Sequence, residues 1–263
     1  MDSFAISELW IYPVKSLGGM QVSQVTITAG GSFAGDREWL VVDADGQMLW
    51  QGDLPRMTLL TATLEGDHLT LRQPDGDSIT LDREHPGNPM AVSQYGYDFE
   101  AIDAGTEAAA WLSAFLNHSC RLMRIGGLAH RWGGLNPVHT ISLRSLEVLN
   151  KRMAELAHPP IELERLRPNM VLGGHHEGFA EERCPALTFA DATFYMVEPC
   201  VRCELPNISR LDATRQRQPL KLIGTMSKER ETSKPASFGM YGRAQGNSLT
   251  RGDIATDARL GRT

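Results

Sequence analysis

The dipeptide Asp45-Gly46, set between VVDA (residues 41–44) and QMLWQ (residues 47–51), constrains this chain more than any other short feature. Two β-prone runs joined by Asp-Gly favour a hairpin, because glycine accepts the positive φ that a tight reversal needs. A second hairpin is predicted over HLTLRQPDGDSITL (residues 68–81), where Leu69, Leu71, Ile79 and Leu81 alternate with polar residues around Pro74-Asp75-Gly76. Residues 6–14, 22–28 and 38–43 are rich in Val, Ile, Thr, Trp and Tyr. Short strands with turns about every 8–12 residues suggest a small barrel or sandwich.

Two helices are predicted beyond this β-rich stretch. Residues 106–116 place Ala108, Trp111, Leu112 and Phe115 at helical spacing. Residues 142–156 place Leu146, Leu149, Met153 and Leu156 on one face, with Ser142 as N-cap, and His158-Pro159-Pro160 ends the run. Short β-like pieces follow at 169–172, 187–189 and 193–197. The charged segment MSKERETSKPAS (residues 226–237) reads as a mobile loop, before a last β-like stretch over 238–254. The fold class is mostly β with a few helices (α+β), in two intimately packed units.

Acidic residues outnumber basic ones, 32 to 26, for a formal charge of −6. This balance argues against a nucleic-acid polymer as partner. An anionic ligand would need a local basic cluster. No run of about 18 apolar residues exists, so no membrane span is expected, and the N-terminus lacks the pattern of a secretory signal. Four cysteines in 263 residues do not make a disulfide framework, and a reducing, cytoplasmic setting is expected.

Phosphate-binding loops, dinucleotide fingerprints, H-E-x-x-H and G-x-S-x-G elbows are all absent. The chemistry concentrates in three clusters instead. Cys200-Val201-Arg202-Cys203 follows a β-like run. It suits half a zinc site, a redox dithiol, or a loop presenting one thiolate to a softer metal. A mixed site with Cys184 and His175 or His176 is a further option. In Arg165-Leu166-Arg167-Pro168-Asn169, two arginines of the same parity would offer guanidinium forks to an anion. In Tyr12-Pro13-Val14-Lys15-Ser16, a broken strand presents an ammonium and a hydroxyl, and Asp36-Arg37 would add a cation.

Taken in order, YPVKS (residues 12–16), GDREWLVVD (35–43), RPNMVL (167–172) and CVRC (200–203) resemble the MOSC family. The likeness is to the branch with an N-terminal β-barrel domain, which includes amidoxime-reducing proteins and bacterial enzymes that detoxify N-hydroxylated bases. NPVHTISLRSLEVLN (136–150) and FGMYGRAQGNSLTRGD (238–253) are weaker echoes. The resemblance implies an N-terminal MOSC β-barrel-like domain over residues 1–125 packed on a MOSC β-barrel domain over 126–263. It implies a molybdenum cofactor (molybdopterin) with Cys203 as metal ligand and catalytic residue. Lys15, Ser16, Arg37, Arg167, Asn169, Cys200 and Arg202 map onto the cofactor contacts, and Thr140 or Ser142 onto the pocket lining. It implies reduction of small N-hydroxylated compounds such as amidoximes, hydroxylamines and N-hydroxylated bases. Electrons would come from a separate ferredoxin-, cytochrome b5- or flavin-reductase-like protein. The alternative is a carrier that holds the cofactor, or a sulfane sulfur, without turnover. Two departures touch the pocket wall: ELPNISRLDATR follows Cys203 in place of a Thr-Thr-Val-Asp-Pro type sequence, and Phe238-Gly239-Met240 replaces Phe-Gly-Gln.

Overall fold

Both Asp-Gly turns close hairpins in the computed structural model, which describes residues 3–131 and 136–259. Each joins its strands through three residues, 44–46 and 74–76, of which only the glycine has positive φ (77° at Gly46, 98° at Gly76). The Asp43 amide donates to the Gln47 carbonyl at 2.9 Å, and the Gln73 amide to Asp77 at 2.8 Å. These are the bulged three-residue form of the hairpin, in which one glycine suffices.

The described strands and helices run β1 (Ala5–Ile11), β2 (Met20–Val22), β3 (Gln24–Thr26), β4 (Trp39–Val42), β5 (Met48–Leu49), β6 (Thr61–Glu65), β7 (His68–Arg72), β8 (Ser78–Asp82), β9 (Pro89–Gln94), β10 (Tyr97–Asp103) and α1 (Thr106–Leu116). They continue through β11 (Arg121–Arg124), β12 (Val138–Ser142), α2 (Leu143–Glu155), β13 (Met170–Gly173), β14 (Ala186–Thr188), β15 (Ala192–Val201), α3 (Leu220–Glu229), β16 (Ser237–Gly246), β17 (Ser248–Thr250) and β18 (Asp257–Arg259). The mostly-β, α+β reading holds. No described helix is long and apolar enough to cross a membrane.

Strands β5-β4-β11-β10-β9 and β6-β7-β8 build the N-terminal unit, with Trp39, Leu69, Leu71 and α1 residues Leu112 and Leu116 in its core. The larger sheet has the order β18-β14-β15-β16-β12-β13-β1-β2. Its first-made strand, β1, lies antiparallel to β13 with Leu9 opposite Met170, so this sheet draws strands from both ends of the chain. Phe4, Ile6 and Leu9 pack there against Leu172 and Phe194, and Leu64 touches the cores of both units.

Helix α2 begins as the sequence predicts: the buried Ser142 hydroxyl accepts from the Ser145 amide at 3.1 Å. Ser142→Ala is expected to cost about 1–2 kcal/mol, read as a lower urea midpoint with an unchanged slope. Residues 226–237 differ from expectation. Helix α3 runs on to Glu229, and Leu222, Ile223 and Met226 are buried against Phe238. Charged residues on the outer face mask this apolar stripe in the sequence, and the helix start is capped by Asn207 and Gln218, whose side chains accept from the Leu220 and Leu222 amides at 2.9 and 3.0 Å, rather than by an N-cap residue. Strand β15 also extends past residue 197 to Val201, through register shifts around Pro199, which carries Cys200 into the sheet.

Candidate functional site

Where β1 ends, Tyr12 and the residues after it pair with the segment leading into β4. Arg37 donates its amide to the Tyr12 carbonyl at 2.8 Å, and Lys15 donates to the Trp39 carbonyl at 2.8 Å. This brings Lys15 and Arg37 to one wall of a cleft of about 730 Å³. The same cleft is lined by Arg167, Asn169, Arg202 and Cys203. Ser16, Arg37, Tyr95 and Arg167, four of the ten non-glycine residues with positive φ among those described, line this one cleft. Each such residue costs about 1 kcal/mol or more, and clusters of them are characteristic of functional sites.

The basic side chains are held from behind. The Tyr12 ring, fully buried, lies between the Arg37 guanidinium at 4.6 Å and that of Arg167 at 4.3 Å. Buried Asp36 bonds to Arg37, accepts from the Tyr12 amide at 2.9 Å and lies 3.6 Å from His130. Asn169 spends its amide on the protein: its oxygen accepts from Arg37 at 2.8 Å and from the His139 amide at 3.2 Å, and its nitrogen donates to the Trp10 carbonyl. Asn169 therefore aims Arg37.

Burial, reinforced by Arg37, lowers the Lys15 pKa to about 7, against a smaller upward pull from Asp36. Burial and Arg37 likewise take Arg167 down to about 9. His130 and His139 are kept neutral, near 4 and 3, chiefly by burial. Among the described residues, Lys15, Arg167 and Arg202 have no carboxylate within ion-pair distance. Three such cations around one cleft, in a protein of net charge −6, make a site for an anion.

The strand alternation at the end of β15 separates the two cysteines. Cys200 and Arg202 point inward while Val201 and Cys203 are exposed, and Cys203 opens onto the cleft. Cys200 sits behind the cleft wall, where its sulfur accepts from Arg202 Nη1 at 2.8 Å. Arg202 also donates to the Leu166 carbonyl at 2.6 Å and meets His139 Nδ1 at 3.4 Å. His139 Nε2 lies 3.1 Å from the Phe238 carbonyl, and Nδ1 lies 3.4 Å from the Arg167 carbonyl as well.

Of the residues the sequence singles out, the structure thus brings Lys15, Ser16, Arg37, Arg167, Asn169, Arg202 and Cys203 to one cleft, with Cys200 behind it. Arg165 does not join them. The turn over Leu163–Arg165 and the positive φ of Arg167 break the extended parity, and Arg165 donates instead to the Pro206 carbonyl at 2.7 Å. Ser142 is a helix cap and Thr140 is wholly buried; neither lines the cleft. A mixed cysteine–histidine site is not assembled: His176 stacks on Phe4, Cys184 donates to the Ala186 carbonyl, and the described residues contain no cluster of three metal-ligating side chains. His139, Tyr241, Trp50 and Tyr95 are cleft residues that the sequence reading misses. The first two lay inside quoted motifs, but an apolar strand context hides a buried polar role.

The donor set fits a phosphorylated, metal-bearing cofactor. One exposed thiol faces cations lacking carboxylates, and the Tyr12 hydroxyl and Arg202 Nε are buried without a hydrogen-bond partner among the described residues. Fold and site together define a two-unit β protein with a cation-lined cleft that presents a single thiol. Residues 3–119 match the MOSC N-terminal beta barrel domain and residues 128–257 match the MOSC domain, so the chain belongs to the MOSC family. It is 30% identical to mitochondrial amidoxime reducing component 2 of Rattus norvegicus, over 90% of this chain and 78% of that protein. The Homo sapiens protein of that name gives the same three figures, 30%, 90% and 78%. Molybdenum cofactor sulfurase of Danio rerio is 27% identical over 91% of this chain, which spans 32% of that longer protein.

Proposed function

We propose that this chain is an oxidoreductase that holds a molybdenum cofactor in the cleft and reduces N-hydroxylated compounds, amidoximes and hydroxylamines among them, to the amidine or amine. The observation that carries this reading is the exposed Cys203 thiol facing Lys15, Arg167 and Arg202, none of which has a carboxylate partner among the described residues. The cofactor, when bound, supplies the two-electron, oxygen-accepting chemistry that side chains lack.

The chain's own residues bind and orient. Cys203 would add one soft thiolate ligand to the metal. Lys15, Arg37 and Arg167 would neutralise the cofactor phosphate, and the Ser16 hydroxyl would hydrogen-bond it. Asn169 and Asp36 fix Arg37, and the Arg202–Cys200 pair fixes the approach of the strand to Cys203. Neutral His139 and His130 keep further positive charge out of the site. Electrons come from a separate redox protein, and the cytoplasm is the proposed location.

Expression in a host that makes the cofactor, with metal analysis of wild type beside Cys203→Ser, tests the reading. Stoichiometric molybdenum and amidoxime reduction with a reduced dye, both lost in Cys203→Ser, are expected. Zinc, or no metal, in the wild type would sink it. The exposure of Cys203 also supports a sulfur-carrier role; a persulfide mass shift on Cys203 without reductase turnover would favour that second reading.

A further inference from the structure

The β9–β10 hairpin turns through Tyr95 and Gly96, with Gln94 opposite Tyr97 and both central residues at positive φ (54° and 80°). That is the type I′ turn, whose first central position ordinarily carries Asn, Asp or Gly. A bulky residue with positive φ is a genuine outlier there. Its ring gains nothing from the core in exchange, since Tyr95 is 63% exposed. It lines the cleft together with Arg37 and Cys203.

A second aromatic residue stands on the same rim. The parallel bridge between Gln47 and Ser93 sets residues 48–50 beside the Tyr95 turn, and Trp50 lines the cleft. The Trp50 ring is fixed: it lies so close to Gly52 that a Cβ there would fall 2.2 Å from a ring carbon. Arg215 donates to the Gly52 carbonyl and to Glu204, the residue after Cys203, tying the Trp50 turn to the thiol segment.

We propose that Tyr95, with Trp50, forms an aromatic wall at the cleft mouth that selects planar, conjugated N-hydroxylated bases over aliphatic ones. This rests on the reductase reading above. Strained backbone holds the Tyr95 ring where a flat substrate can stack with its N–O group directed toward Cys203.

The test compares wild type, Tyr95→Asn and Tyr95→Phe. Asn relaxes the turn and removes the ring, so the unliganded Tyr95→Asn chain should melt about 2 °C higher. On cofactor-loaded protein without an electron donor, calorimetric titration with benzamidoxime should show about tenfold weaker binding for Tyr95→Asn, while Tyr95→Phe stays within about threefold. Acetamidoxime, which has no ring, should bind wild type and Tyr95→Asn alike. A lower melting temperature for Tyr95→Asn would mark the ring as structural and overturn the proposal. So would unchanged benzamidoxime affinity in a Tyr95→Asn protein whose wild type binds and reduces it, and that result leaves the reductase reading standing. A loaded wild type that binds neither amidoxime overturns both.

Discussion

Arg202→Ala is expected to lower the unfolding free energy by about 3 kcal/mol and to abolish tight cofactor retention. The guanidinium is buried, and removing it takes from the Cys200 sulfur and the Leu166 carbonyl the donor they share. Each orphaned buried group costs about 1–3 kcal/mol, and the truncated side chain leaves a void besides. Because Arg202 immediately precedes Cys203, the thiol loses its fixed approach to the cleft. Arg202→Lys should recover little of this, since an ammonium cannot reproduce the planar fork that reaches sulfur, carbonyl and imidazole together. Chemical denaturation and metal content, measured on the same preparations, check both halves. A Lys variant that retains both stability and metal would show that charge alone matters.

Lys15→Met should do the reverse to stability. At pH 6 it is expected to raise the melting temperature of the unliganded chain by roughly 5 °C, for a gain on the order of 2 kcal/mol after discounting for solvent access. Lys15 has its folded pKa lowered from 10.5 to about 7, mainly by burial. Below pH 7 the folded and unfolded chains both carry the proton, so the cost of burying the charge is felt in full. Between pH 7 and about 10.4 the folded chain has released the proton while the unfolded chain keeps it, and stability from this group rises with pH. The wild type should therefore gain on Lys15→Met as pH rises and meet it near pH 10. An anion in the cleft restores the Lys15 charge, so cofactor retention should weaken above pH 7 and be poor in Lys15→Met at every pH. Melting curves across pH for the two proteins decide the sign. Parallel curves would show that Lys15 is not buried as a charge.

Local pattern sufficed for much of the fold. The hairpins at Gly46 and Gly76, helix α1 and the Ser142 cap of α2 each depend on residues within about one or two turns of chain, where spacing and capping chemistry act. Helix α3 escaped because its apolar stripe is short and one of the side chains that cap its start, Asn207, lies thirteen residues before Leu220. Within the site, Lys15, Arg37, Arg167 and Cys203 were legible as unusual residue types in ordered motifs. The same local view paired Arg165 with Arg167, and it was blind to His139, Tyr241 and the Tyr95 turn.

By itself the sequence determined the two Asp-Gly hairpins, helices α1 and α2, and which cations and thiol are available for chemistry. Only the tertiary structure decided that β1 lies against β13, and with that pairing Lys15, Arg37, Arg167 and Cys203 line one cleft. It also decided that Asn169 serves Arg37, that Arg202 serves Cys200, and that Arg165 turns away. The reason is physical: φ and ψ preferences act over a few residues, whereas sheet order, burial and pKa depend on partners more than a hundred residues distant in the chain.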